Sequence, residues 1–208
     1  LKTEKIDVDL VPVRNDPNEA GLLGATQLVP KWLFQGQEAI LAVDIGGTNI
    51  RAGLISLNVK KVADLSKAAV QKLELWGHAD KRKVGREAAV KTLTKMLQKL
   101  IARAKKERLA LAPFIGIGCP GIINKDGSME RGAQNLPGDW ESSDFHLPSA
   151  INKIVPKIGD DETVIVMHND AVVQGLSETP YMGDVKRWGV LTIGTGLGNA
   201  RFTNHRTT

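Results

Sequence analysis

Apolar residues fall along this chain in short, dense runs separated by polar or glycine-rich clusters. Residues 39–43 are all apolar and lead into Asp44, and a second, mostly apolar run spans Ile50–Leu57. Runs of this length bounded by turn residues predict strands, so the stretch reads as strand, tight turn, strand. Ala69–Trp76 is a further candidate strand, and short buried-type strands are expected at Phe114–Gly118, 163–168 and Trp188–Ile193. Between them the period becomes helical. Val90, Leu93, Leu97, Leu100, Ile101 and Ala104 form one stripe, which predicts a long helix over 84–108; a shorter one is expected over 170–179. Strands alternating with helices make this an α/β chain. Residues 1–38 read as a lead-in with its own elements. Ile6–Val13 alternates apolar and polar residues like a half-buried strand, Asn15-Asp16-Pro17-Asn18 is helix-start chemistry, and Ala20–Val29 predicts a short apolar helix containing Gly21 and Gly24.

Polar and glycine-rich clusters follow the expected strand ends, the edge at which open α/β sheets bind ligands. After the first strand come Gly46, Gly47 and Thr48. Glycines allow unusual φ values and close backbone approach, and the amides of such a turn form an anion-binding concavity. Thr48 adds a hydroxyl, and Asp44 a charge suited to a hydrated Mg²⁺ beside a polyphosphate. No Gly-x-x-x-x-Gly-Lys-Ser/Thr occurs, so this is a phosphate hairpin rather than a P-loop. An ordinary Gly-Gly turn would use the same residues. Later clusters are Cys119-Pro120-Gly121, Asn135-Leu136-Pro137-Gly138-Asp139-Trp140, His168-Asn169-Asp170-Ala171 and Gly194-Thr195-Gly196-Leu197-Gly198. A carboxylate such as Asp170 can accept a proton, or cap the helix that follows. Asn169 and Asn135 can each donate and accept hydrogen bonds together. Gly121 suits either close backbone approach to a ligand or a plain turn. His168, Cys119 and Trp140 read as structural.

Composition narrows the classes. With 42% hydrophobic and 25% charged residues the chain is of globular type. No run approaches the about 18 apolar residues of a membrane span, and none reads as an export signal. The single cysteine, Cys119, excludes an internal disulfide framework, and a cytoplasmic setting is expected. Residues 59–108 hold 15 Lys or Arg against 5 Asp or Glu, while the rest of the chain holds 13 against 18. This basic block reads as the solvated face of the long helix. It lacks the interleaved aromatics of single-strand binders, so no nucleic-acid partner is expected.

The order Asp-Ile-Gly-Gly-Thr, Gly-Cys-Pro-Gly, Asn-Leu-Pro-Gly-Asp-Trp, Asn-Asp-Ala and Thr-Ile-Gly-Thr-Gly-Leu-Gly, over about residues 39–200, resembles the ROK family of bacterial-type glucokinases, other sugar kinases and related repressors. The resemblance implies ribonuclease-H-like half domains of the actin-like ATPase superfamily: a complete first lobe at 39–120 and the start of a second at 121–208, incomplete at Thr208. Residues Asn18–Ala25 are similar to the last helix of ROK proteins, so 1–38 is read either as that terminal strand and helix, placed ahead of the hairpin by permutation or as the tail of an upstream copy, or as an ordinary Gly/Ala-rich packing helix. The implied activity is ATP-dependent phosphorylation of a hexose hydroxyl, with ATP and Mg²⁺ as cofactors and a homodimer as the assembly. The implied roles are Asp170 as general base; Asp44, Gly46, Gly47, Thr48, Gly194, Thr195 and Gly196 on the phosphates, with Asp44 reaching the metal through water; and Asn169, Asn135 and Gly121 on the sugar. Val172 and the Asn199-Ala200-Arg201 stretch depart from the family pattern, and its sugar-binding Glu and His and its zinc cluster have no counterpart here. The alternatives are a sugar-responsive ROK regulator, for which 1–38 is short, and a catalytically weak remnant or subunit.

Overall fold

A computed structural model describes residues 8–60, 62, 64–79 and 84–205. In chain order the elements are α1 (Pro17–Gly24), β1 (Ala39–Ile45), β2 (Asn49–Ser56), β3 (Ala69–Gly77), α2 (Arg86–Lys106), β4 (Leu111–Cys119), β5 (Ile122–Ile123), β6 (Met129–Arg131), α3 (Leu147–Asn152), β7 (Lys157–Ile158), β8 (Asp161–Glu162), β9 (Val164–Asn169), α4 (Asp170–Leu176), β10 (Arg187–Ile193) and β11 (Leu197–Thr203). Five strands form one sheet in the order β3-β2-β1-β4-β9. The first three are antiparallel neighbours, while β4 and β9 run parallel to β1. None of the helices described is long and apolar enough to cross a membrane.

Helices cover both faces of this sheet, which is why β1 is apolar at nearly every position and buried along its whole length. Side chains alternate between faces, so Ala39, Leu41, Val43 and Ile45 enter a core under α2 and α3, with Leu93, Leu97, Leu100 and Ile151. The even positions Ile40 and Ala42 enter a second core with Leu22 and Leu23 of α1, Phe34, Phe114 and Val173 of α4. The same alternation puts Asp44 on the α1–α4 side. Helix α2 presents its expected stripe inward, and Lys91, Lys95, Lys99, Arg103 and Lys106 stand exposed. Lys99 pairs with Glu74, and Arg103 with Glu107.

Two expectations are corrected. Residues 8–13 of the expected strand Ile6–Val13 form no strand and lie exposed, and residues 6 and 7 fall outside those described. Alternation alone does not make a strand, and this segment joins no ladder among the described residues. The strand near 163–168 does not open a separate half domain either. It is β9, in register with β4 from Phe114↔Val164 to Cys119↔Asn169, and it completes the first sheet.

Helix α1 forms as its start signals predict: Asp16 accepts from the Asn18 amide at 2.8 Å and Pro17 opens the first turn. Its two glycines set how deeply it sits. A Cβ on Gly24 would fall 1.7 Å from the Val173 carbonyl oxygen of α4, and one on Gly21 would fall 2.7 Å from Asp44 Oδ1. Gly24→Ala is expected to destabilise the protein by about 3 kcal/mol, because overpacking against backbone outweighs the gain of about 1 kcal/mol in helix propensity. Urea unfolding measures this, and an unchanged midpoint would mean that α1 is not seated on α4.

Candidate functional site

The carboxyl ends of β1, β4 and β9 lie side by side. Asp44 is opposite Gly118, and Gly118 is opposite His168. Gly118 carries no side chain, and a Cβ there would lie 3.6 Å from Asp170 Cα, so the first turn of α4 settles onto the sheet at this point. Two carboxylates from distant stretches, Asp44 and Asp170, are thereby brought into electrostatic reach of one another.

Asp44 is 6% exposed. Burial pushes its carboxyl up to about 6, the Arg51 guanidinium opposes that rise, and the Asp170 charge adds to it. Arg51 stands opposite Asp44 on β2, bonds Asp44 Oδ2 at 3.3 Å and extends to Asn18 Oδ1 of α1 at 3.1 Å. Asp170 is also raised, by burial, against the lowering effect of the Ala171 amide that donates to it at 2.8 Å. The Cys119 thiol is fully buried in the core under α2 and α3, and burial followed by the Asp170 and Asp44 charges pushes it up; it packs as a small apolar group.

Asp170 does not cap α4. Asn169 does, accepting from the Val172 amide at 3.2 Å, while its side-chain amide donates to the Gly121 carbonyl at 2.9 Å. Both polar ends of Asn169 thus have partners inside the protein. At Gly121, φ is +99°, and a Cβ would lie 2.3 Å from the Arg131 carbonyl oxygen, so the close approach this glycine permits is to the β6 end.

The first turn differs from its expected geometry. Neither Gly46 nor Gly47 has positive φ. Gly47 is needed for proximity: a Cβ there would lie 3.3 Å from both Asn135 Cβ and Thr195 Cβ. Three stretches separated by more than 50 residues each therefore meet at one point, with Asn135, Thr48 and Thr195 exposed. Thr195 sits in the turn of the β10–β11 hairpin, which packs on α4 through Gly175, beside Phe202 and Val190. Gly194 and Gly196 flank it with open space around them. The amides of Gly47 and Thr48 donate to no described residue.

Sequence reasoning missed two residues here. Arg51 follows the turn closely, and its register opposite Asp44 is the signal that could have found it. His78 directly follows β3 and places Nε2 2.8 Å from the Gly46 carbonyl oxygen. No local pattern marks it.

A metal fits this site in one way only. Among the described residues no group of three or more His, Cys, Asp or Glu could hold an ion. The Asp44 side chain is 8% exposed, with Oδ2 on Arg51 and Oδ1 beneath Gly21, so it could reach a cation only through water.

The sheet order, with glycine turns at its carboxyl edge, is that of the actin-like ATPase fold. The ROK family model matches residues 40–208, and the chain belongs to the ROK family. Among solved structures it is similar to a putative sugar kinase from Cytophaga hutchinsonii ATCC 33406, at 20% identity and a TM-score of 0.57 over 80% of this chain and 48% of that one. A ROK family glucokinase from Streptomyces griseus in complex with glucose and AMPPNP aligns at 19% identity and a TM-score of 0.57, over 79% and 44%. An inorganic polyphosphate/ATP-glucomannokinase from Arthrobacter sp. strain KM aligns at 21% identity and a TM-score of 0.55, over 80% and 58%. The chain spans about half the length of these proteins. No curated protein matches it.

The charge at Asp44 makes a testable contribution to stability. Its carboxyl moves from an ordinary 3.8 to about 6 on folding, so between these values the native state holds a proton that the unfolded chain has released. This group's stabilisation is full below pH 4 and is lost as pH rises through about 6. Urea unfolding of wild type and Asp44→Asn at pH 4 and pH 7 should show the wild type losing about 3 kcal/mol relative to the variant. A difference that does not change with pH would place the carboxyl in water.

Proposed function

We propose that this chain carries out ATP-dependent phosphorylation of a hexose hydroxyl. One observation carries the reading: Gly47 of the first turn, Thr195 of the second and Asn135 of the intervening loop meet at one point, on the sheet edge that also carries Asp44 and Asp170. Phosphoryl transfer asks a protein mainly to position its reactants and to neutralise charge. The amides of Gly47 and Thr48, unpaired among the described residues, suit phosphate oxygens, and Thr195 and its flanking glycines face them from the hairpin. Asn135, exposed beside both turns, suits a sugar hydroxyl. Asn169 and Gly121, bonded to each other, shape the wall of that subsite.

Asp170 is the general base in this reading. It takes the hydroxyl proton as the sugar oxygen bonds to the γ-phosphorus and the bond from that phosphorus to the bridging oxygen of ADP breaks. Its upward shift through burial brings its proton affinity nearer to neutral pH, which suits a base. Asp44 holds charge at the turn, fixed by Arg51. Mg²⁺, when bound with the nucleotide, would neutralise phosphate charge, with Asp44 reaching it through water.

A coupled ADP-release assay across glucose, fructose, mannose and the N-acetyl hexosamines tests the reading; no ADP release with any of them would refute it. Asp170→Asn should reduce turnover by at least about 10²-fold with little change in nucleotide affinity. Turnover within a few-fold of wild type removes Asp170 from the mechanism. Gly47→Val should abolish ATP binding while the fold persists, since its side chain drives into Asn135 and Thr195. An unchanged calorimetric titration would reduce the turn to architecture.

A further inference from the structure

We propose that His78 is a positioning residue for nucleotide phosphate, setting the direction of the Gly47 amide through the Gly46 carbonyl. The inference rests on the phosphate-turn reading above. In an ordinary tight turn, the carbonyl of the first residue accepts from the amide three positions on. Here the Gly46 amide donates to the Asn49 carbonyl at 2.8 Å, but the Gly46 carbonyl accepts from His78 instead. A carbonyl cannot donate, so His78 Nε2 carries the proton. The backbone beside it acts in the same direction: the His78 and Ala79 amides both donate to the Thr48 carbonyl, at 2.9 and 3.2 Å.

Peptide planarity makes this consequential. In a trans peptide the carbonyl and the following N–H point opposite ways. Holding the Gly46 and Thr48 carbonyls toward the end of β3 therefore turns the Gly47 and Asn49 amides away from it. Gly47 N–H is one of the two turn amides with no partner among the described residues. His78 is 2% exposed and its ring lies 5.6 Å from that of Trp76, so the imidazole is held by packing. An anion-binding turn gains most when its donors are aimed before the anion arrives.

The test compares wild type, His78→Phe, which keeps a ring but has no donor, and His78→Gln, which keeps an N–H donor. Calorimetric titration with AMPPNP should give a dissociation constant about tenfold higher for His78→Phe, the scale of one lost hydrogen bond. His78→Gln should stay within about threefold of wild type, and glucose titration should be unchanged in all three. In wild type, ¹⁵N spectra of the labelled imidazole should show the Nε2–H tautomer at pH 8, a readout that needs no folded variant. His78→Phe binding AMPPNP like wild type, His78→Gln as weak as His78→Phe, or an Nδ1–H tautomer would each overturn this inference and leave the phosphate-turn reading standing. Wild type that fails to bind AMPPNP overturns both.

Discussion

The site depends on the burial of β1 on both faces. Helices α2 and α3 cover one side and α1 and α4 the other, so the strand is held from Ala39 to Ile45 with no exposed residue. A strand fixed in this way delivers its last residues to one place. Asp44 emerges toward α4, and the hairpin turn that follows projects past the sheet edge. The glycines around it serve this placement: Gly118 lets α4 descend onto the sheet, and Gly21 and Gly24 let α1 close over Asp44.

Closing α1 over Asp44 carries an electrostatic cost. A carboxylate removed from water is destabilised, and the Asp170 charge nearby adds to the penalty. Arg51 offsets part of it, and through Asn18 it ties the lead-in helix to the hairpin. Functional sites commonly hold such unfavourable charge in place because the surrounding packing is strong enough to keep it there. The lead-in is thus structurally part of the edge, although the family match begins at residue 40.

Helix α4 shows how one residue can serve both folding and site. Asn169 caps the helix and bonds Gly121, while one Asp170 carboxylate oxygen accepts from the Ala171 amide of its own first turn. Had Asp170 been the cap, its carboxylate would be committed to the helix.

Much was legible in the sequence because it is local. The alternation of dense apolar runs with one clean helical stripe specified strands, helix α2 and their order, since both periods follow from backbone geometry. Turn chemistry after each run marked the edge that carries Asp44 and Asp170 and the point where Gly47, Asn135 and Thr195 meet. What the sequence could not decide was partnership. That β9 pairs with β4 and completes the first sheet, that His78 takes the Gly46 carbonyl, and that residues 8–13 join no strand among the described residues are all outcomes of contacts between segments far apart in the chain. Such contacts are selected by the packing of the whole fold, in which a glycine matters for what approaches it and a histidine for which carbonyl lies within reach. No local period records either.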